Sequence, residues 1–174
     1  AGLKSEGIDL TASYADRIGP GRFSARFAYS YLLDGYLIPL PGAATDYFAG
    51  EIGAAEHRWN LALGYTWGPF NVSARLNYIG KSSLDDQFLS EFGVARDGIT
   101  IPSKTYTDLY FAYNWKKAQF YFGIDNAFDT KPPQLDTNGL IPVSVENTST
   151  GSATDAGVYD AIGRRYYAGV RLAF

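Results

Sequence analysis

The sequence predicts an all-β protein: an antiparallel, up-and-down transmembrane β-barrel segment of about seven strands. Three features carry this expectation. Apolar and polar residues alternate along most of the chain, the period of a strand with two unlike faces. The connections between alternating stretches are in turn short and long. Aromatic residues stand at both ends of the apolar face, and small aliphatic ones fill the middle.

The first alternating stretch is Ser5 to Asp16, with Ile8, Leu10, Ala12 and Tyr14 on one face and Asp9, Thr11 and Ser13 on the other. Ile18-Gly-Pro-Gly21 is a tight turn, because Gly tolerates positive φ and Pro pre-sets its own. The second strand places Phe23, Ala25, Phe27, Tyr29 and Tyr31 against Ser24, Arg26, Ala28 and Ser30, and fades near Tyr36 into a long connection. In the third, Trp59, Leu61, Leu63, Tyr65 and Trp67 oppose Asn60, Ala62, Gly64 and Thr66. Gly68-Pro69 turns the chain into a fourth strand, where Phe70, Val72, Ala74, Leu76 and Tyr78 oppose Asn71, Ser73, Arg75 and Asn77.

Lys81 to Ile101 reads as a second long, irregular loop, and no segment shows a helical period. The fifth strand sets Thr107, Leu109, Phe111, Tyr113 and Trp115 against Tyr106, Asp108, Tyr110, Ala112 and Asn114. After the Lys116-Lys117 turn, the sixth sets Ala118, Phe120, Phe122 and Ile124 against Gln119, Tyr121, Gly123 and Asp125. The longest connection, roughly Phe128 to Ala161, precedes the closing strand, in which Tyr166, Ala168, Val170, Leu172 and Phe174 oppose Arg165, Tyr167, Gly169 and Arg171. An eighth strand within Ser83–Ile101 or Leu140–Val145 would make the number even.

Two readings of the apolar face compete: the inside of a soluble barrel, or the lipid side of a membrane barrel. The aromatics favour lipid. Phe23 and Tyr31, Trp59 and Trp67, Phe70 and Tyr78, and Tyr166 and Phe174 are each eight residues apart on that face. At about 3.3 Å per residue the spacing spans roughly 26 Å, which a tilt near 40° reduces to roughly 20 Å of height, near the apolar band of such barrels. With Trp115 these residues form the expected lipid-facing girdles, and no charge falls between the brackets. Arg26, Arg75, Asp108, Asp125, Arg165 and Arg171 then face the lumen. Sorting of the loops by length places the three long ones outside the cell and Phe174 at the periplasmic rim.

Composition removes several function classes. The chain has 174 residues, enough for one ordinary domain, and a net charge of −3 argues against a nucleic-acid partner. It has no Cys and a single histidine, His57, so thiolate sites, His-based metal clusters and an activated serine with its base are unsupported; no catalytic residue is assigned. Asp85, Asp86, Asp155 and Asp160 read as isolated loop carboxylates, short of the six or more oxygens calcium requires, so neither a metal nor a cofactor is expected. Asn126 and Asp129 read as turn residues. No apolar run is long enough for a transmembrane helix, and Ala1-Gly-Leu-Lys-Ser-Glu is no leader; a strand so near residue 1 favours a fragment.

Three motifs then point to a family. Gly123-Ile-Asp-Asn-Ala-Phe-Asp-Thr-Lys-Pro-Pro133 resembles the penultimate-strand signature of TonB-dependent outer-membrane receptors, with Ala127 where Leu is usual. The stretch Tyr159 to Phe174 resembles their terminal strand and the signal read by the barrel-assembly machinery, with Ala168 at a position more often polar. Lys4-Ser-Glu-Gly-Ile-Asp-Leu-Thr-Ala-Ser-Tyr14 is similar to the family's glycine–aliphatic–acidic–aliphatic strand. The resemblance implies that residues 1–174 are the C-terminal part of a 22-stranded barrel, without its plug domain or the TonB box through which TonB acts. It implies uptake of a ferric siderophore, haem, cobalamin or an oligosaccharide across the cell outer membrane. Outer-membrane lipid, TonB, the assembly machinery and a small-molecule or chelate substrate are the expected partners, and nucleic acid is not. Tyr36, Tyr47, Phe48, Phe88, Phe92 and Tyr159 are candidate ligand contacts in the loops, since aromatic planes stack on sugars and chelates. A self-standing small outer-membrane barrel with a structural or adhesive role is the alternative reading, and a soluble ligand-binding barrel a third.

Overall fold

The computed structural model describes residues 1–134 and 154–173. The second place proposed for an eighth strand, Leu140–Val145, and the terminal Phe174 lie outside these residues. Seven long strands form one antiparallel sheet: β1 (Gly2–Ile18), β2 (Gly21–Ile38), β3 (His57–Trp67), β4 (Phe70–Ile79), β7 (Lys104–Trp115), β8 (Ala118–Asp125) and β9 (Arg165–Leu172). Each lies beside its neighbour in this order, so the topology is the expected meander. β1 and β9 are its edges, and the sheet does not close on itself.

The short connections are two-residue turns, fixed by the pairs Ile18 with Gly21, Trp67 with Phe70 and Trp115 with Ala118. The first two are Gly-Pro, with Gly19 at φ 60° and Gly68 at φ 54°. Such tight hairpins need positive φ at the first central residue. Lys116 holds that place in the third turn at φ 53°, its ammonium 5.4 Å from the Trp115 ring.

The register shows, strand by strand, which residues share a side of the sheet. Across the sheet Tyr14, Ala25, Leu63, Ala74, Leu109, Ile124 and Tyr166 are successive partners, so all project to one side. On the other side Ser13, Arg26, Ala62, Arg75 and Asp108 follow one another. The only carboxylate that the register puts on the apolar side below the outer girdle is Asp16, opposite Phe23 at the turn end, where the Tyr14 hydroxyl donates to it at 3.4 Å.

β1 and β2 run longer than the alternation suggested, to Gly2 and Ile38, because the pattern is broken by a bulge. Gly7 pairs with Leu32 while Glu6 pairs with Asp34, which leaves Leu33 over. A β-carbon at Gly7 would stand 2.6 Å from the Tyr31 carbonyl oxygen, so the bulge depends on glycine there.

No core lies behind the apolar face. Trp67, Phe111, Trp115, Phe122, Tyr166 and Val170 are all exposed on it. Burial is concentrated instead at the loop end, where Ala55, Ile79, Leu84, Leu89, Ile99, Ile101, Tyr106 and Tyr159 cluster. The second long loop corrects the sequence reading. It is not irregular throughout, and Ser83–Ile101 does not supply an eighth strand to the sheet. Ser82–Ser83 (β5) and Thr100–Ile101 (β6) pair only with each other, and a helix, Asp86–Glu91 (α1), lies between them. That helix is too short to show a period. It is held by Asp85, whose side chain accepts the Phe88 N–H at 2.7 Å, and by Leu89, which is wholly buried.

Candidate functional site: the loop end and the inner wall

The loop aromatics separate into two groups. Tyr159 is buried, its hydroxyl 3.3 Å from Ser82 Oγ. Phe88 packs against the buried cluster and meets Phe92 edge-on with ring centres 5.2 Å apart. Phe48 lies over Gly35, so closely that a β-carbon there would enter its ring. Tyr159 and Phe88 hold loop to loop, and Phe48 holds its loop to β2. Tyr36 and Tyr47 form an edge-on pair at 5.9 Å, with Lys4 6.0 Å above Tyr36. Tyr47 and Phe92 remain exposed, 49% and 43%.

The inner wall is polar and partly paired. Arg165 meets Asp125 across β8 and β9 at 3.5 Å. Arg171 donates to Gln119 at 3.3 Å and lies 5.1 Å over the Tyr121 ring. Asp108 accepts the Asn126 N–H at 3.0 Å. Arg75 stands opposite Asp108 in register, yet among the described residues neither Arg75 nor Arg26 makes an ion pair. Ala62, Ser73, Arg75, Asp108, Asp125 and Tyr167 line a recess of about 300 Å³ in this wall. A larger apolar dent of about 390 Å³, with Phe23, Leu63, Val72 and Phe111, lies on the opposite, apolar side.

The described aromatics of the expected girdles, which exclude Phe174, share the apolar side of the sheet, and many are in ring contact. Trp59 stacks on Tyr78 at 5.2 Å, Phe70 lies 5.8 Å from Trp67 and 5.1 Å from Tyr113, and Tyr166 stacks on Phe122 at 6.3 Å. Phe23 touches Tyr14, and Tyr31 stacks on His57. The His57 Nδ1 and the Tyr29 hydroxyl share a 2.8 Å hydrogen bond. The histidine is thus a rim residue.

Two polar clusters were not legible in the sequence. Asn126, 1% exposed, takes φ 49° and knots the third long loop: its Nδ2 donates to Thr130 O and Asp160 Oδ2, and its Oδ1 accepts the Thr130 N–H. Asp160 also accepts the Ile162 and Gly163 N–H groups, so this carboxylate is not isolated. Nor is Asp85. One carboxylate oxygen each of Asp46, Glu51 and Asp85 lies within 4.8 Å of the others. Asp46 and Glu51 are far from Asp85 in sequence, so no spacing could have announced the group. Glu51 is 6% exposed, and burial, reinforced by Asp85 and Asp86, pushes its carboxyl up to about 6 against the pull of the Asp86 N–H and Arg96. Asp46 is raised for the same first reason.

A sheet with a continuous apolar face, aromatic rims, a charged inner wall and structured loops at one end is a stretch of transmembrane β-barrel wall. A family model described as TonB dependent receptor-like, beta-barrel, matches residues 1–127. The chain belongs to this family of outer-membrane receptors and transporters, which is not a family of enzymes. The match takes in only the first five residues of the penultimate-strand motif, Gly123 to Ala127, and ends before β9. Among curated proteins and among solved structures, nothing matches.

Proposed function

We propose that residues 1–174 are the C-terminal part of the barrel of a TonB-dependent receptor that imports a scarce nutrient across the outer membrane. The observation that carries the reading is the family match over residues 1–127, and strands whose register gathers the apolar residues on one side support it. In a receptor of this kind the remaining strands complete a 22-stranded barrel, a plug fills it, and TonB draws on the plug side to release substrate. The substrate is a ferric siderophore, haem, cobalamin or an oligosaccharide. Tyr36, Tyr47 and Phe92 are its loop contacts, and Arg26 and Arg75 border its path. The alternating apolar residues of β9, with Phe174, present the strand to the barrel-assembly machinery.

The self-standing small barrel is the weaker reading, because among the described residues neither edge of the seven-stranded sheet has a partner, and open edges in lipid cost several kcal/mol per unpaired group. A deletion strain decides between them. Loss of growth on one limiting iron, cobalamin or glycan source, reproduced by loss of TonB, supports the receptor. Unchanged uptake of every such source removes it.

A further inference from the structure

The loops spanning residues 39–56 and 80–103 are joined around a single carboxylate. The Glu51 side chain is only 8% exposed, and its Oε1 accepts the N–H of Asp86, the first residue of α1, at 2.9 Å. The backbone on either side is tied to the same segment. Ser83 N–H donates to Gly50 O at 2.8 Å, and Ile52 N–H donates to Ser83 O at 3.0 Å. Arg96 reaches back from the second loop, its guanidinium donating to the Ala49 carbonyl and lying 3.9 Å from Glu51. The closed contact therefore cannot form without burying Glu51.

The charges around it oppose an ionised carboxylate. Asp46 faces Glu51 from its own loop; Asp85, Asp86 and Arg96 face it from the other. Three acids against one guanidinium leave the cluster short of positive charge, and the Asp46 Oδ1 is buried with no hydrogen-bond partner. Protonation of Glu51 removes one charge and adds a donor to the cluster.

We propose that Glu51 is a proton-controlled latch between these two loops: protonated, it holds the first loop on the N-terminus of α1, and ionised, it loosens that contact. The sign follows from linkage. The carboxyl rises from an ordinary 4.5 to about 6 when the loops are closed, so the closed form binds the proton more tightly. Its contribution is complete below the lower value and is lost as the pH rises through the upper one. The closed-to-open ratio falls across that window by up to about 30-fold.

The latch rests on loop geometry and does not require the import reading. Hydrogen exchange followed by mass spectrometry on the full receptor in detergent, with a chelator present, tests it at about pH 5 and about pH 7.5 after correction for intrinsic rates. Amides of residues 50–52 and 83–89 exchange up to about 30-fold faster at the higher pH in the parent protein. Glu51→Gln abolishes the step and stays protected at both. Asp85→Asn, which keeps a capping side chain, moves the midpoint to lower pH. Equal protection of the parent at both pH values, or a step that survives in Glu51→Gln, overturns the latch. Closure that appears only when millimolar calcium replaces the chelator, with no pH step without it, makes the cluster a cation site and also overturns it.

Discussion

Leu63 and Asn71 lie close together on adjacent strands and face opposite ways. Leu63 has Ala25 and Ala74 as partners on the apolar side; Asn71 has Thr66 and Ala112 on the polar side. Arginine at a mid-bilayer lipid-facing site costs about 2–4 kcal/mol, and at a lumen site little. Leu63→Arg is therefore expected to block assembly and Asn71→Arg to be tolerated, read as the fraction of heat-modifiable folded protein in membranes. Equal tolerance would reverse the face assignment. At Asn126 the expected effect is on the third long loop. Asn126→Ala strands the Thr130 and Asp160 groups it now satisfies, at about 1–3 kcal/mol for a buried unpaired group. Limited proteolysis after Asp129 should rise while the sheet stays folded; unchanged cleavage would mean that the knot carries no load.

Among elements, the strands and their two-residue turns are the part that the sequence makes legible, since period 2 and Gly-Pro act locally and need no distant partner. The bulge in β1 and β2 is not, because it depends on how two strands meet above the aromatic rim. Gly7→Ala tests it. The added methyl group presses on the Tyr31 carbonyl, so the pairs beyond it, from Glu6 with Asp34 to Gly2 with Ile38, should lose protection in hydrogen exchange. Pairs such as Leu10 with Tyr29 should keep theirs. Equal protection above and below would show that the strand absorbs the change. α1 escapes the sequence for a different reason. A six-residue helix falls below the length at which a helix sustains itself, so it exists only through its Asp85 cap and the burial of Leu89.

At the scale of the whole molecule, among the described residues the apolar face of the sheet has no core behind it, and the buried cluster joins loop residues to Ile79 and Tyr106 at the strand ends. Removing detergent should therefore drive the purified chain into sedimenting aggregates, while micelles keep it dispersed. A monodisperse sample without detergent would return the apolar face to the inside of a soluble barrel. Charge divides along the same line. The three long connections, 39–56, 80–103 and 126–164, carry twelve acidic against four basic side chains, whereas the polar side of the sheet mixes Arg26, Arg75, Arg165 and Arg171 with Asp9, Asp108 and Asp125.

By itself the sequence determined the class of fold, the strand order, the residues that share each face and the family, because alternation, turn chemistry and aromatic spacing are written in neighbouring residues. Only the tertiary structure decided which loop aromatics are buried and which are exposed. It alone brought Glu51 to α1 and to Asp46 and Asp85, and it alone made Asn126 a buried knot. Those contacts join residues separated by long stretches of chain, and their chemistry comes from burial, which no local pattern records.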